Sequence, residues 1–176
     1  LTVDGSLCTG GAVCIMMMLS GQNVFVAMLA ATLAGMLTGL VTGIFHTFMG
    51  IPAILAGILT QLSLYSINLK IMGKANQAIN VDKYNLLVSL RYIKNVPFLK
   101  NTLFVVAICI ILLVLLLYWF FGTEVGCALR ATGCNGNMSR AQGINTNLTK
   151  VLGLMLSNGL VGLSGALLSQ YQGFAD

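Results

Sequence analysis

Charge is what this sequence has least of. Only 7% of its 176 residues are Asp, Glu, Lys or Arg, where a soluble domain carries roughly a quarter. None occurs between Asp4 and Lys70, which excludes a water-covered fold over that stretch. Acidic residues number 4 and histidine 1, and the apolar runs show neither a His/Asp/Glu nor a Ser-based constellation of the kind an intramembrane enzyme needs. The 5 cysteines, Cys8, Cys14, Cys109, Cys127 and Cys134, show no C-x-x-C spacing, so neither a metal nor a disulfide framework is expected. They read as small apolar fillers. A phosphate loop is missing as well, because "MGKA" at 72–75 has Asn68 where the first glycine is required. No cofactor, metal or nucleic acid is expected.

What is present is hydrocarbon. Hydrophobic residues make up 57% of the chain and its mean hydropathy is +0.92, so a bilayer is the solvent these residues need. The apolar stretch is too long and too late to be a signal peptide. Five apolar runs lie at about 7–20, 24–45, 51–69, 102–121 and 148–168. The fourth, "TLFVVAICIILLVLLLYWFF", supplies the ~20 residues that ~30 Å of hydrocarbon requires and ends in interfacial aromatics. The first is short and opens with "VDGS", which suits a half-helix with broken backbone held inside a bundle. The fold class is an all-α integral membrane protein, a polytopic transmembrane helix bundle. Leu1 is not an initiator Met and Asp176 follows the last apolar run directly, which points to a fragment.

The second run carries more than hydropathy. Ala27, Ala31, Gly35, Gly39 and Gly43 recur every four residues and give one face of small side chains. Helices in lipid gain little from burying apolar groups, so close approach through such a face supports packing. Asn158, Gly162 and Ala166 repeat the theme in the last run. Pro52 stands at a helix start, where its missing N–H costs nothing. His46 precedes it at a membrane edge; with no Asp or Glu near it in sequence, a structural role is favoured over a proton relay. Residues 70–101 form a basic loop holding Lys70, Lys74, Lys83, Arg91, Lys94 and Lys100 against Asp82 alone. Within it Leu86, Leu87, Leu90 and Ile93 suggest a short amphipathic helix on the lipid surface.

Between the last two runs sits "GTEVGCALRATGCNGNMSRAQGINTN", residues 122–147. Thr123 is placed to cap a helix from about Glu124 to Thr132 that Gly133 ends. Asn137 is placed to cap a second, around Met138–Gln142, closed by Gly143. Arg130 and Arg140 would then face water or a partner. A plain loop needs no caps, so the order implies a rigid element that transmits force.

"GCALRATGCN…SRAQGIN" resembles the cytoplasmic coupling segment of ATP-binding-cassette importer permeases of the branched-chain amino acid and ribose type. Gly126, Ala128, Leu129, Arg130, Ala131, Gly133, Asn135, Arg140, Gly143 and Ile144 match that pattern. Gly136 replaces a usual proline and Ser139 a common alanine. "VDGS", with Asp4, Gly5 and Ser6, is similar to the family's opening of an early span, and "GIPAILAGILT", with Pro52, to its Ile-Pro segment. The closing "LSNGLVGLSGALLSQYQGFAD" is nearest a subgroup linked with aromatic amino acid uptake, and "GFAD" echoes "VDGS" as the opening of a second half.

The resemblance implies a partial permease domain over 1–176, without catalysis of its own, in the plasma membrane of a prokaryote. Its implied partners are a cytoplasmic ATP-binding subunit, a second permease copy, an extracytoplasmic substrate-binding protein and membrane lipid. It marks Asp4, Gly5, Ser6 and Pro52 for the translocation path. Arg130 is singled out for a charged contact with the ATPase, against a lipid-phosphate contact. The cargo would be an amino acid, with a simple sugar as the alternative. An ion-coupled carrier or channel is the rival class, disfavoured because the apolar spans hold almost no ionisable group. Six Lys and Arg at 70–100 against three at 130–150 would put the former inside. The motif requires the reverse and is the more specific signal, which leaves the basic loop outside to meet an acidic binding protein.

Overall fold

The structure, a computed structural model, describes residues 2–73, 77–78 and 102–175. Among them seven helices occur: α1 (Val3–Leu19), α2 (Val24–Thr47), α3 (Ala53–Met72), α4 (Thr102–Phe121), α5 (Glu124–Cys134), α6 (Gly136–Ala141) and α7 (Thr146–Gln172). Two dipeptides, β1 (Gln77–Ala78) and β2 (Phe174–Ala175), pair antiparallel after α3 and α7. The protein is an all-α membrane bundle. α2, α3 and α7 are each long and apolar enough to cross a bilayer, and α4 joined to α5 makes a bent fourth candidate. The amphipathic helix expected around Leu86–Ile93 lies outside the described residues.

α7 is the central post. α2 runs antiparallel to it: Gly43 meets Val151, Gly39 meets Leu154, and Gly35 meets Asn158. A Cβ at Gly43 would lie 3.1 Å from Val151 Cα, and one at Gly39 or Gly35 would enter the Leu154 or Asn158 carbonyl. All five members of the small face on α2 are buried. The opposite face, with Phe25, Leu29, Leu33 and Leu37, is exposed for lipid. α1 packs parallel to α7 in the same manner, Gly10 on the Gly162 backbone and Gly165 on the Leu7 carbonyl. With so little side chain between axes, the gain comes from dispersion over long backbone contact.

α1 is continuous from Val3, so "VDGS" is its first turn rather than broken backbone. The Ser6 N–H and hydroxyl both donate to the Thr2 carbonyl at 3.0 Å. At 17 residues α1 is about 25 Å long, short of a full span. Thr2 Oγ1 donates to Asn158 Oδ1 at 2.9 Å. Asn158 lies twelve residues beyond Thr146, so α1 begins about 18 Å along α7, deep inside the bundle. α3 reaches Met72, which puts Lys70 in its last turn rather than in the loop. There a cation meets the negative end of the helix dipole.

Several buried hydroxyls are satisfied within their own helices. Thr9, Thr42 and Thr60 donate to the carbonyls of Gly5, Thr38 and Ala56 at 2.6–2.9 Å. Hydrocarbon offers no water to do this. The α2–α3 turn is pinned by His46, whose Nδ1 donates to the Ile51 carbonyl at 3.0 Å, beside Gly50 at φ +68°.

Gly39→Val should force α2 off α7 and destabilise the fold by about 1–3 kcal/mol. The lipid-facing Leu37→Val should stay within about 0.5 kcal/mol. Thermal unfolding of the two variants in detergent checks the contrast.

Candidate functional site

The segment 122–147 is built as a bent arm under α4. Val106–Phe121 and Glu124–Cys134 meet at 82°. The bend is possible because residue 126 is glycine: a Cβ there would enter the Phe120 carbonyl. The Thr123 hydroxyl donates to Phe120 O at 2.6 Å, and its oxygen accepts from Gly126 N at 3.4 Å, starting α5. α5 continues to Cys134. Gly133 therefore lies within the helix and does not end it.

Asn135 is the pivot between the two short helices, and it replaces Asn137 as the cap of the second. It closes α5 through its N–H on the Ala131 carbonyl. Its side-chain Oδ1 then accepts from the Asn137 and Met138 amides, both at 3.2 Å, to open α6. An Asn suits this double duty because its short amide reaches the orphan N–H groups of the next helix. α6 spans only Gly136–Ala141, ahead of the Met138–Gln142 register read from sequence. Gly143 at φ +85° turns the chain, and Ile144 N closes on Ser139 O at 3.1 Å. Asn145 caps α7 by accepting from Leu148 N at 3.3 Å.

Two contacts join α5 to α7. The hydroxyls of Thr132 and Thr149 lie 3.2 Å apart and both residues are buried. A turn further along, a Cβ at Gly153 would meet Leu129 Cδ1 at 3.5 Å, so Leu129 seats over that glycine. α6 is clasped by Arg140, whose guanidinium donates to Thr146 Oγ1 at 3.2 Å. Arg140 thus holds its own chain rather than reaching only outward. Arg130 is exposed on α5, as are Ala131, Gly133 and Asn135; Ala128, Leu129 and Ile144 are half-buried.

The residues marked at helix starts are not gathered in one place. Gly5 is an α1–α3 contact, where a Cβ would lie 3.0 Å from Leu64 Cδ1 and 3.5 Å from Gln61 Cα. Ser6 is fully buried, while Asp4 and Pro52 are exposed. Sequence reading missed Thr132, Thr149, Gly153 and Asn145. Asn145, three residues ahead of the apolar run that starts at 148, carried the usual signal for a cap; the two threonines had none. Behind α5 lies a cavity of about 510 Å³, walled by Thr2, Thr42, His46, Thr132, Thr149 and Lys150 among others.

The family described as branched-chain amino acid transport system / permease component matches residues 1–176. The chain belongs to that family. It is 40% identical to a tyrosine transport system permease protein of Clostridioides difficile (strain R20291) over 178 aligned positions, covering all of this chain and 56% of the relative. It is 35% identical to an uncharacterised protein of Rickettsia prowazekii (strain Madrid E), covering all of this chain and 59% of that relative. The chain thus spans little more than half the length of these two relatives. No solved structure matches it. That family, described by its transport permease components, is the one that the motif at 122–147 resembled.

Asn135→Ala should remove the α6 cap at a cost of about 1 kcal/mol, speeding exchange of the 137 and 138 amides roughly fivefold. Hydrogen-exchange mass spectrometry across the segment reads this directly. Amides within α2 should not change.

Proposed function

We propose that this permease carries an amino acid across a prokaryotic plasma membrane, driven by ATP that a separate cytoplasmic subunit hydrolyses. The observation that carries the reading is the joint between α5 and α7, the Thr132–Thr149 pair with Leu129 over Gly153. α7 is in backbone contact with α1 and α2, so the three respond to a push on α5 as one body. Packed interiors transmit displacement rather than absorb it. A motor grasping the exposed side of α5 and α6 therefore tilts the core of the bundle.

The coupling segment lies at the cytoplasmic face in this reading, and Arg130 reaches into a groove of the ATP-binding subunit. ATP shifts the bundle between two openings by its differential affinity for them. A second permease copy completes the path, and an extracytoplasmic binding protein delivers the solute. Gly126, Ala128, Ala131, Gly133 and Asn135 shape the arm, while Gly143 and Ile144 turn it back into α7. The small face from Ala27 to Gly43 keeps the core rigid. Asp4, Gly5, Ser6 and Pro52 stay candidates for the path, with Gly5 engaged in packing. No step of covalent chemistry is assigned to the chain. The name of the Clostridioides difficile relative makes tyrosine the first solute to test.

Arg130→Glu in the assembled transporter should leave ATPase activity in place and lower uptake on the order of tenfold or more. Unchanged uptake per ATP removes Arg130 from the coupling role. Sidedness is checked with Cys134, exposed on α5. A membrane-impermeant maleimide should label it in inverted vesicles and leave it protected in intact cells. Labelling from outside intact cells would refute the cytoplasmic placement.

A further inference from the structure

The C-terminal half of α3 is a poor membrane span. In "QLSLYSINLK", residues 61–70, polar side chains alternate with apolar ones, and α3 is the least apolar of the three helices long enough to cross. At 20 residues it is about 30 Å long, the thickness of the hydrocarbon, so most of this stretch lies within the bilayer. Tyr65 stands seven residues before Met72, about 10 Å below that end of the helix. Met72 shares a buried cluster with Ala27 and Ala31, so α2 passes the same level there. At that depth α2 shows lipid Leu29 and Leu33, whereas α3 shows Tyr65, 66% exposed.

Gln61, Tyr65 and Asn68 are spaced i, i+4, i+7 and share one face of α3. Gln61 is half-buried and Asn68 buried, and Asn68 Oδ1 has no hydrogen-bond partner among the described residues. Hydroxyl protons on the two helices are already spent: Thr9 of α1 donates to Gly5 O at 2.6 Å, and Thr60 of α3 to Ala56 O at 2.8 Å. An amide oxygen left this way in hydrocarbon is a cost that packing does not explain, and a donor arriving from elsewhere does. The phenol of Tyr65 has the same need. Helical side chains lean toward the N-terminus, which carries its hydroxyl toward mid-bilayer rather than the nearer surface. Ser63 escapes the problem by donating to Leu59 O at 2.9 Å, a return that neither Tyr65 nor Asn68 makes.

We propose that the Gln61–Tyr65–Asn68 face of α3 borders the water-filled translocation path, and that Asn68 Oδ1 and the Tyr65 hydroxyl hydrogen-bond the solute as it passes. Polar groups inside a membrane protein mark such paths. The proposal rests on the import reading and adds to it two residues that set specificity. Gly5 joins them, since a Cβ there would lie 3.5 Å from Gln61 Cα, so α1 and α3 meet the path along one seam.

The first arm of the test is solvent access, measured on the full-length permease in proteoliposomes. A membrane-impermeant, charged methanethiosulfonate should label Tyr65→Cys roughly tenfold faster or more than Leu33→Cys on the lipid face of α2, because a thiol in hydrocarbon does not ionise. Mass spectrometry of the peptide carrying each substitution scores it apart from the native cysteines. Equally slow labelling of the two overturns the proposal. This arm needs neither nucleotide nor solute, so its failure is distinguishable from failure of the import reading, which Arg130→Glu probes. The second arm is solute contact, measured as uptake of radiolabelled L-tyrosine by the assembled transporter. Asn68→Leu and Tyr65→Phe should each raise KM roughly fivefold or more, by loss of one hydrogen bond. Asn68→Leu should meanwhile keep or raise the melting temperature, because it removes an unpaired acceptor. An unchanged KM in both variants overturns the proposal. A lowered melting temperature with KM unchanged shows that another part of the protein already supplies the donor to Asn68, and overturns it as well.

Discussion

The structure depends on backbone touching backbone. α7 can stand against α1 and α2 at once only because Gly35, Gly39, Gly43, Gly10, Gly162 and Gly165 present no side chain at the crossings. In water such an interface would be weak, since it buries little apolar side chain. In lipid the accounting changes. Every outward Leu or Ile is as well solvated by hydrocarbon as by protein, so the sequence spends its large residues outward and its small ones inward. The exposed Leu29, Leu33 and Leu37 and the buried Ala31, Gly35 and Gly39 are two sides of that one constraint.

The same constraint decides where polar groups go. The buried threonines turn back on their own helices, which costs no interhelical geometry. The exceptions are informative because they cross between helices: Thr2 to Asn158, Gln170 to Cys14, and Thr132 to Thr149. The first two fix the depth of α1 along α7, and the third fixes the arm to the post. Polar contacts in the bundle set register, and the glycines set distance.

Much of this was legible in the residues. A four-residue repeat of Ala and Gly needs only helical periodicity to become a face, and an Asn before an apolar run needs only the orphan amides of a helix start. That 122–147 holds two short capped helices was also plain, because bends and caps demand particular residue types. The register of α5 and α6 was not. Gly133 looked like a terminator, yet a glycine in a helix ends it only if the next residues cannot go on, and Cys134 goes on. The cap passed to Asn135, two residues before the expected Asn137, because the first residue after α5 already turns its side-chain oxygen onto the amides of residues 137 and 138. Thr132, Thr149 and Gly153 stayed invisible for a different reason. Their meeting depends on the 82° bend of the α4–α5 connection, which no local pattern encodes.

That bend bears on how force would enter the bundle in the proposed coupling role. A rigid arm is useful only if it can turn relative to something, and the packed α1–α2–α7 core leaves no slack. The turns between helices are the places with room. At Gly143, Gly50 and Gly21 a Cβ would meet nothing within 4 Å, whereas the glycines of the core meet backbone. Two classes of glycine therefore do opposite work: those in the crossings remove space, and those in the turns supply backbone freedom. Gly126 belongs to the first class although it sits in the arm, since the Phe120 carbonyl occupies the place of its Cβ. The α4–α5 corner is consequently stiff, and the compliant end of the arm is the Gly143 turn. In the proposed coupling role, a push on α5 would carry α4 with it and reach α7 through the Thr132–Thr149 and Leu129–Gly153 contacts before the turn at 143 could dissipate it.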